Sequence, residues 1–158
     1  VRMADKLADL AAEDKARGRG ISAGDKLLRA ANYMLTAERL QAVGSPGRAA
    51  LYARFQTAFA EALALTHAAA RLVEIPYEGT TLSAIYVPAT GITGPQPVLV
   101  QVNGLDSTKE MKYLVGLPHW LAARGVASLI VDQPGTGDAL RLRGLTALVA
   151  VRPCELMR

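Results

Sequence analysis

A chain of 158 residues, 51% of them hydrophobic, is long enough for one ordinary core, or a small core with a helical appendage, and too apolar to be disordered. Eighteen basic residues against fourteen acidic ones leave +4, scattered along the chain rather than gathered with aromatics, which argues against nucleic acid as a partner. A lone cysteine, Cys154, excludes an internal disulfide; no apolar run approaches the ~18 residues of a membrane span and no signal-peptide pattern opens the chain, so a cytoplasmic protein with no membrane partner is expected.

Residues 1–71 are Ala-rich and read as about three helices. Leu7, Leu10 and Ala11 recur at helical steps before Gly18-Arg19-Gly20 interrupts them. Ser22 is expected to cap a second helix, with Asp25 three residues on, through Leu27, Leu28, Ala31, Met34, Leu35 and Ala42 until Gly44. Ser45-Pro46 is expected to start a third, whose buried side carries Leu51, Phe55, Phe59, Ala62, Leu63 and Thr66. The phrases Arg29–Tyr33 and Arg48–Tyr52 are alike, but two copies at this offset make no solenoid and read as coincidence between amphipathic helices.

From residue 72 the period becomes two. Val73, Ile75 and Tyr77 alternate, Pro76 suggests an edge strand, and Glu78-Gly79-Thr80-Thr81 reads as a hairpin turn into 82–87. After a Pro/Gly loop, 98–102 is a short apolar strand of the kind buried on both faces. Met111 to Arg124 has a helical pattern closed by Gly125, and 126–131 is a second buried strand. Strand, helix, strand at this spacing is a βαβ unit, so the fold class is α/β.

Ligands in such sheets sit beyond the carboxyl ends of the strands, where two loops fall: Asn103 to Lys109 and Asp132 to Asp138. In the first, Gly104 permits a tight turn, and the amides after it can face a developing negative charge. The same residues also suit an ordinary turn in which Asp106, Ser107 or Thr108 caps the next helix, and Glu110 suits either. Asp132 could be catalytic or could anchor the neighbouring loop. "DQPGTG" lacks the spacing of a phosphate loop, and neither His67 nor His119 has a partner at metal-ligand spacing, so no cofactor and no metal are expected. Arg141 and Arg143 read as a solvated turn or as contacts to an acidic substrate.

The stretches "VEIPYEGTTLSAIYVPA", "PVLVQVNGLDSTKE" and "LAARGVASLIVDQPGTGDALRLRG" resemble the amino-terminal half of an α/β-hydrolase. The resemblance, over roughly residues 20–145, is to the esterase-like group that includes the fermentation-respiration switch protein, the dihydroxypseudooxynicotine carbon-carbon hydrolase and fungal polyketide-shortening hydrolases. It implies a serine hydrolase acting on a small-molecule ester or ketone, with 1–71 as a helical cap and 72–145 as the first part of the hydrolase sheet. It further implies that the loop at Gly104 and Leu105 offers one oxyanion amide, the other coming from the residue after the nucleophile, with Asn103, Asp106, Ser107 and Asp132 as loop support.

No triad member is identifiable in the chain. The five serines, Ser22, Ser45, Ser83, Ser107 and Ser128, all lie outside a GxSxG elbow, and neither histidine falls where the group's catalytic histidine would. Residues 146–158 depart from the group's pattern, as a frameshift or truncation would make them. The expected product is a truncated hydrolase, inactive alone, or a non-catalytic interaction module binding a partner chain or the missing half. In the hydrolase strand order the strand at 98–102 would be left as an apolar edge, so self-association is expected.

Overall fold

The computed structural model describes residues 1–42 and 44–147, which carry six helices and four strands and divide into two compact units, Val1–Ala70 and Arg71 onward. The atypical tail lies almost wholly outside the described residues.

The first unit holds α1 (Arg2–Ala16), α2 (Gly20–Arg39) and α3 (Arg48–Leu65). Each buries one stripe: Leu7 and Ala11 from α1, Leu27, Ala31, Met34 and Leu35 from α2, Phe55, Phe59 and Ala62 from α3. Phe55 and Phe59 are fully enclosed, and burial of each such side chain contributes about 1.5–3 kcal/mol. Gly24 lets α2 and α3 approach: a Cβ there would stand 2.6 Å from the Thr66 methyl and 3.2 Å from the Ala62 carbonyl.

Two helix starts differ from the sequence expectation. α2 begins at Gly20, ahead of Ser22, whose hydroxyl donates to Asp14 instead (2.7 Å) while Lys26 donates to the same carboxylate. The polar triplet joins α1 to α2, and that tertiary partner outbids a local cap. α3 begins at Arg48 behind Gly47 (φ 80°), not at Ser45-Pro46. Thr66 is the C-cap of α3, half-buried, with its methyl toward Gly24.

In the second unit β1 (Arg71–Tyr77) and β2 (Thr80–Val87) form a hairpin; β3 (Val98–Val102) and β4 (Ala127–Val131) are parallel. The sheet order is β1-β2-β4-β3, which places β1, with Pro76, at one edge and β3 at the other. Ile85 and Ile130 face each other across β2 and β4, both fully buried, while Leu82, Ala84, Val131 and Ala139 make the small core that Leu129 and Leu145 complete.

The segment expected as one helix is two, α4 (Lys109–Val115) and α5 (Leu117–Ala122). Gly116 takes φ 95° between them, and Pro118 has no N–H with which to continue the ladder. Gly125 (φ 79°) then closes α5. β4 is buried as expected, whereas β3 is not: Val98, Leu99, Val100 and Val102 are exposed, because among the described residues β3 has a neighbouring strand on one side only. A short helix, α6 (Gly137–Arg141), follows β4. None of the described helices is long and apolar enough to cross a membrane.

Candidate functional site

The loops after β3 and β4 meet at the carboxyl ends of those parallel strands. Asn103 continues β3 by one step: its backbone N–H donates to the Gln133 side-chain oxygen (2.8 Å), and the Gln133 amide donates back to the Asn103 carbonyl. Gln133 thus serves as a further rung of the ladder. The chain then turns through Gly104, Leu105, Asp106 and Ser107, closed by the Ser107 N–H on the Gly104 carbonyl (3.0 Å). Thr108 caps α4, its hydroxyl accepting from the Met111 N–H (3.3 Å), so of the three candidate caps Thr108 takes the role.

Asp132 is the hub between these loops and is fully buried. One carboxylate oxygen accepts from the Asn103 side-chain amide (2.6 Å) and the Lys109 N–H (2.8 Å); the other accepts from the Lys109 ammonium (3.0 Å) and the Asp138 N–H (3.0 Å). Two donors at each oxygen thus tie the Asp132 carboxylate to Asn103 and Lys109 of the first loop and to Asp138 of the second. Gly137 is needed beside it: at φ 42° a Cβ would lie 2.0–2.3 Å from the Asp132 carboxyl group.

The Lys109 ammonium also meets Glu110 (2.7 Å) and Asp138 (2.6 Å), all in the buried interior. Glu110, Asp132 and Asp138 bring carboxylate oxygens within 4.8 Å of one another, a grouping able to hold a metal ion, but the lysine ammonium lies within hydrogen-bond distance of all three. Burial alone would lower the Lys109 pKa; the charges of Glu110, Asp132 and Asp138 outweigh it and hold the ammonium above its ordinary value. For Glu110, burial and the charges of Asp132 and Asp138 push the carboxyl upward against the pull of Lys109. The sequence reading missed Lys109 as a buried group. Adjacent Lys-Glu at a helix start looks solvated, and only the distant Asp132 and Asp138 reveal otherwise.

Leu105 is 74% exposed, and Gly104 and Asp106 are exposed beside it. Among the described residues neither the Gly104 nor the Leu105 amide has an acceptor, and a Cβ on Gly104 would meet nothing within 4 Å. Gly104 does not take a left-handed φ, so the conformational reason expected for a glycine there does not hold. Ser107 is half-buried. His119 stacks edge-on against Tyr113 (4.7 Å between rings), and His67 ends the turn after α3.

No family model matches the chain. It is 38% identical over 144 residues to "Hydrolase LUC6" of Fusarium sp, covering 87% of this chain and 34% of that protein. It is 34% identical over 145 residues to the 20-hydroxy-prefusarin hydrolase FUS2 of Gibberella moniliformis, covering 88% and 34%. The crystal structure of 2,6-dihydroxy-pseudo-oxynicotine hydrolase superposes with a TM-score of 0.70 at 27% identity, over 87% of this chain and 38% of that one. The chain therefore spans about a third of the length of the curated relatives it matches. In sequence and in fold it is similar to the amino-terminal half of an α/β-hydrolase of the 2,6-dihydroxy-pseudo-oxynicotine hydrolase-like group.

Proposed function

We propose that this chain supplies the oxyanion loop and the helical cap of a serine hydrolase acting on a small-molecule ester or ketone, and that it is inactive without a nucleophile supplied from elsewhere. The observation that carries the reading is the exposed turn at Gly104 and Leu105, whose amides have no acceptor among the described residues and stand at the carboxyl end of a parallel strand. Such amides can accept the charge that develops on a carbonyl oxygen when a nucleophile adds, and each well-aimed donor is worth about a hundred- to a thousandfold in rate. No serine of the chain stands in GxSxG. The first unit, Val1–Ala70, would be the cap, and Asn103, Asp106, Ser107 and Asp132 the support of the loop.

The outer edge of β3, unpaired among the described residues, supports a second reading, an interaction module. Val98, Val100 and Val102 expose apolar surface along a strand that, among the described residues, pairs with β4 alone. That edge suits a strand from a partner chain or from the rest of a hydrolase, and a second copy of this chain would give self-association.

The test joins the chain to the part of the Fusarium hydrolase that it does not cover and treats both the chimera and the isolated chain with a fluorophosphonate. The chimera should be labelled on a serine outside this chain, and the isolated chain should remain unlabelled. Leu105 follows the first residue of the turn, where proline is tolerated, so Leu105→Pro removes one amide hydrogen and keeps the turn. In the chimera it should slow ester hydrolysis about a hundredfold or more. Labelling of Ser107, or full activity of Leu105→Pro, would sink the proposal.

A further inference from the structure

We propose that Lys109 is the positioning residue of the loop from Asn103 to Thr108: its buried ammonium locks the turn after β3 to the turn after β4 and so sets where the Gly104 and Leu105 amides stand. The inference rests on the oxyanion reading of that loop. Both ends of the loop converge on one oxygen of Asp132, through the Asn103 side-chain amide (2.6 Å) and the Lys109 N–H (2.8 Å). The Lys109 side chain then folds back on the same anchor. An ammonium has three donors, and here three carboxylates receive them, Asp132 at 3.0 Å, Asp138 at 2.6 Å and Glu110 at 2.7 Å.

The three carboxylates come from three places in the chain: Glu110 from α4, Asp132 from the end of β4 and Asp138 from α6. Their oxygens lie within 4.8 Å of one another and would repel without a cation between them. A tethered ammonium removes that repulsion and ties the start of α4 to the β4 loop in one move. In a solvated pair this would order little; enclosed as it is, the pairing holds only in one geometry. The loop between the two anchors is short, so fixing both ends fixes the amides between them.

Hydrogen exchange measured by NMR on this chain tests the proposal through the amides of Asn103, Ser107 and Lys109. In Lys109→Met their protection should fall at least roughly tenfold relative to the amides of β2 and β4. The core-lightening variant Ile130→Val should lower all of these amides alike and serves as the measure of a merely global effect. Should Lys109→Met fail to fold, Asp138→Asn, which leaves the ammonium two carboxylates, should show the same local pattern with a smaller fall. Protection that falls equally in strands and loop, or loop amides that keep their wild-type protection, overturns the proposal. The oxyanion reading fails separately, on an active Leu105→Pro chimera whose loop amides still respond to Lys109→Met.

Discussion

Asp132→Asn changes one atom type in the middle of the site and keeps its shape. The carboxylate accepts four hydrogen bonds, two at each oxygen. An amide in its place can accept on one side only, so on the other side an NH2 group faces two donors, whichever way it is turned. The two bonds lost involve a charged acceptor and are fully buried, and at about 1.5–3 kcal/mol each the variant should lose about 3–6 kcal/mol. That is a large part of the 5–15 kcal/mol, roughly, that holds a domain together. Urea unfolding followed through Trp120, the only tryptophan and a residue of α5, reports on the second unit. At one fixed protein concentration its midpoint should fall by more than about 1 M. A midpoint within about 0.3 M of the wild type would mean that the four contacts do not hold the loops, and the hub assignment would be wrong.

Gly137→Ala should cost about 2–5 kcal/mol in the same assay, since its methyl would collide with the Asp132 carboxyl at a left-handed φ; Gly104→Ala, with open space around it, should stay within about 0.5 kcal/mol. Glu110 has a folded-state pKa raised above its ordinary 4.5, so the folded protein binds that proton more tightly and the group's stabilising contribution is complete below pH 4.5 and lost as pH rises through the raised value. Glu110→Gln should therefore gain on the wild type in urea midpoint between pH 4 and pH 8, and parallel curves would refute the assignment. Val100, 58% exposed on β3, an edge strand among the described residues, offers a test of self-association: Val100→Lys should shift the chain toward monomer in light scattering, and a wild type that is already a monodisperse monomer would remove the premise. Asp14 has its pKa lowered by its bonds from Lys26 and Ser22, so Asp14→Asn should flatten the loss of helix signal on acidification below about pH 4, where the wild-type contact is titrated away.

Periodicity determined the large features of this protein: helical spacing before residue 70, alternation after it, and a strand-helix-strand unit with glycine loops at the strand ends. These are properties of neighbours along the chain, where a residue's partners lie three, four or two positions away. The loops "NGLDSTKE" and "DQPGTGD" were legible as a pair for the same reason, by their place after apolar strands and by their likeness to a known group. Where the sequence misled, a partner distant in the chain had taken over a residue with a plausible local role: Asp14 drew Ser22 from capping. The break at Gly116 was local, yet the apolar pattern ran through it and hid it. Only the tertiary structure decided that Asp132 takes hydrogen bonds from both loops, that Lys109 is buried among three carboxylates from three elements, and that β3 is an edge strand among the described residues. Charge at the surface and charge in the interior read alike in a sequence; what separates them is desolvation, and that depends on every element that folds over the group.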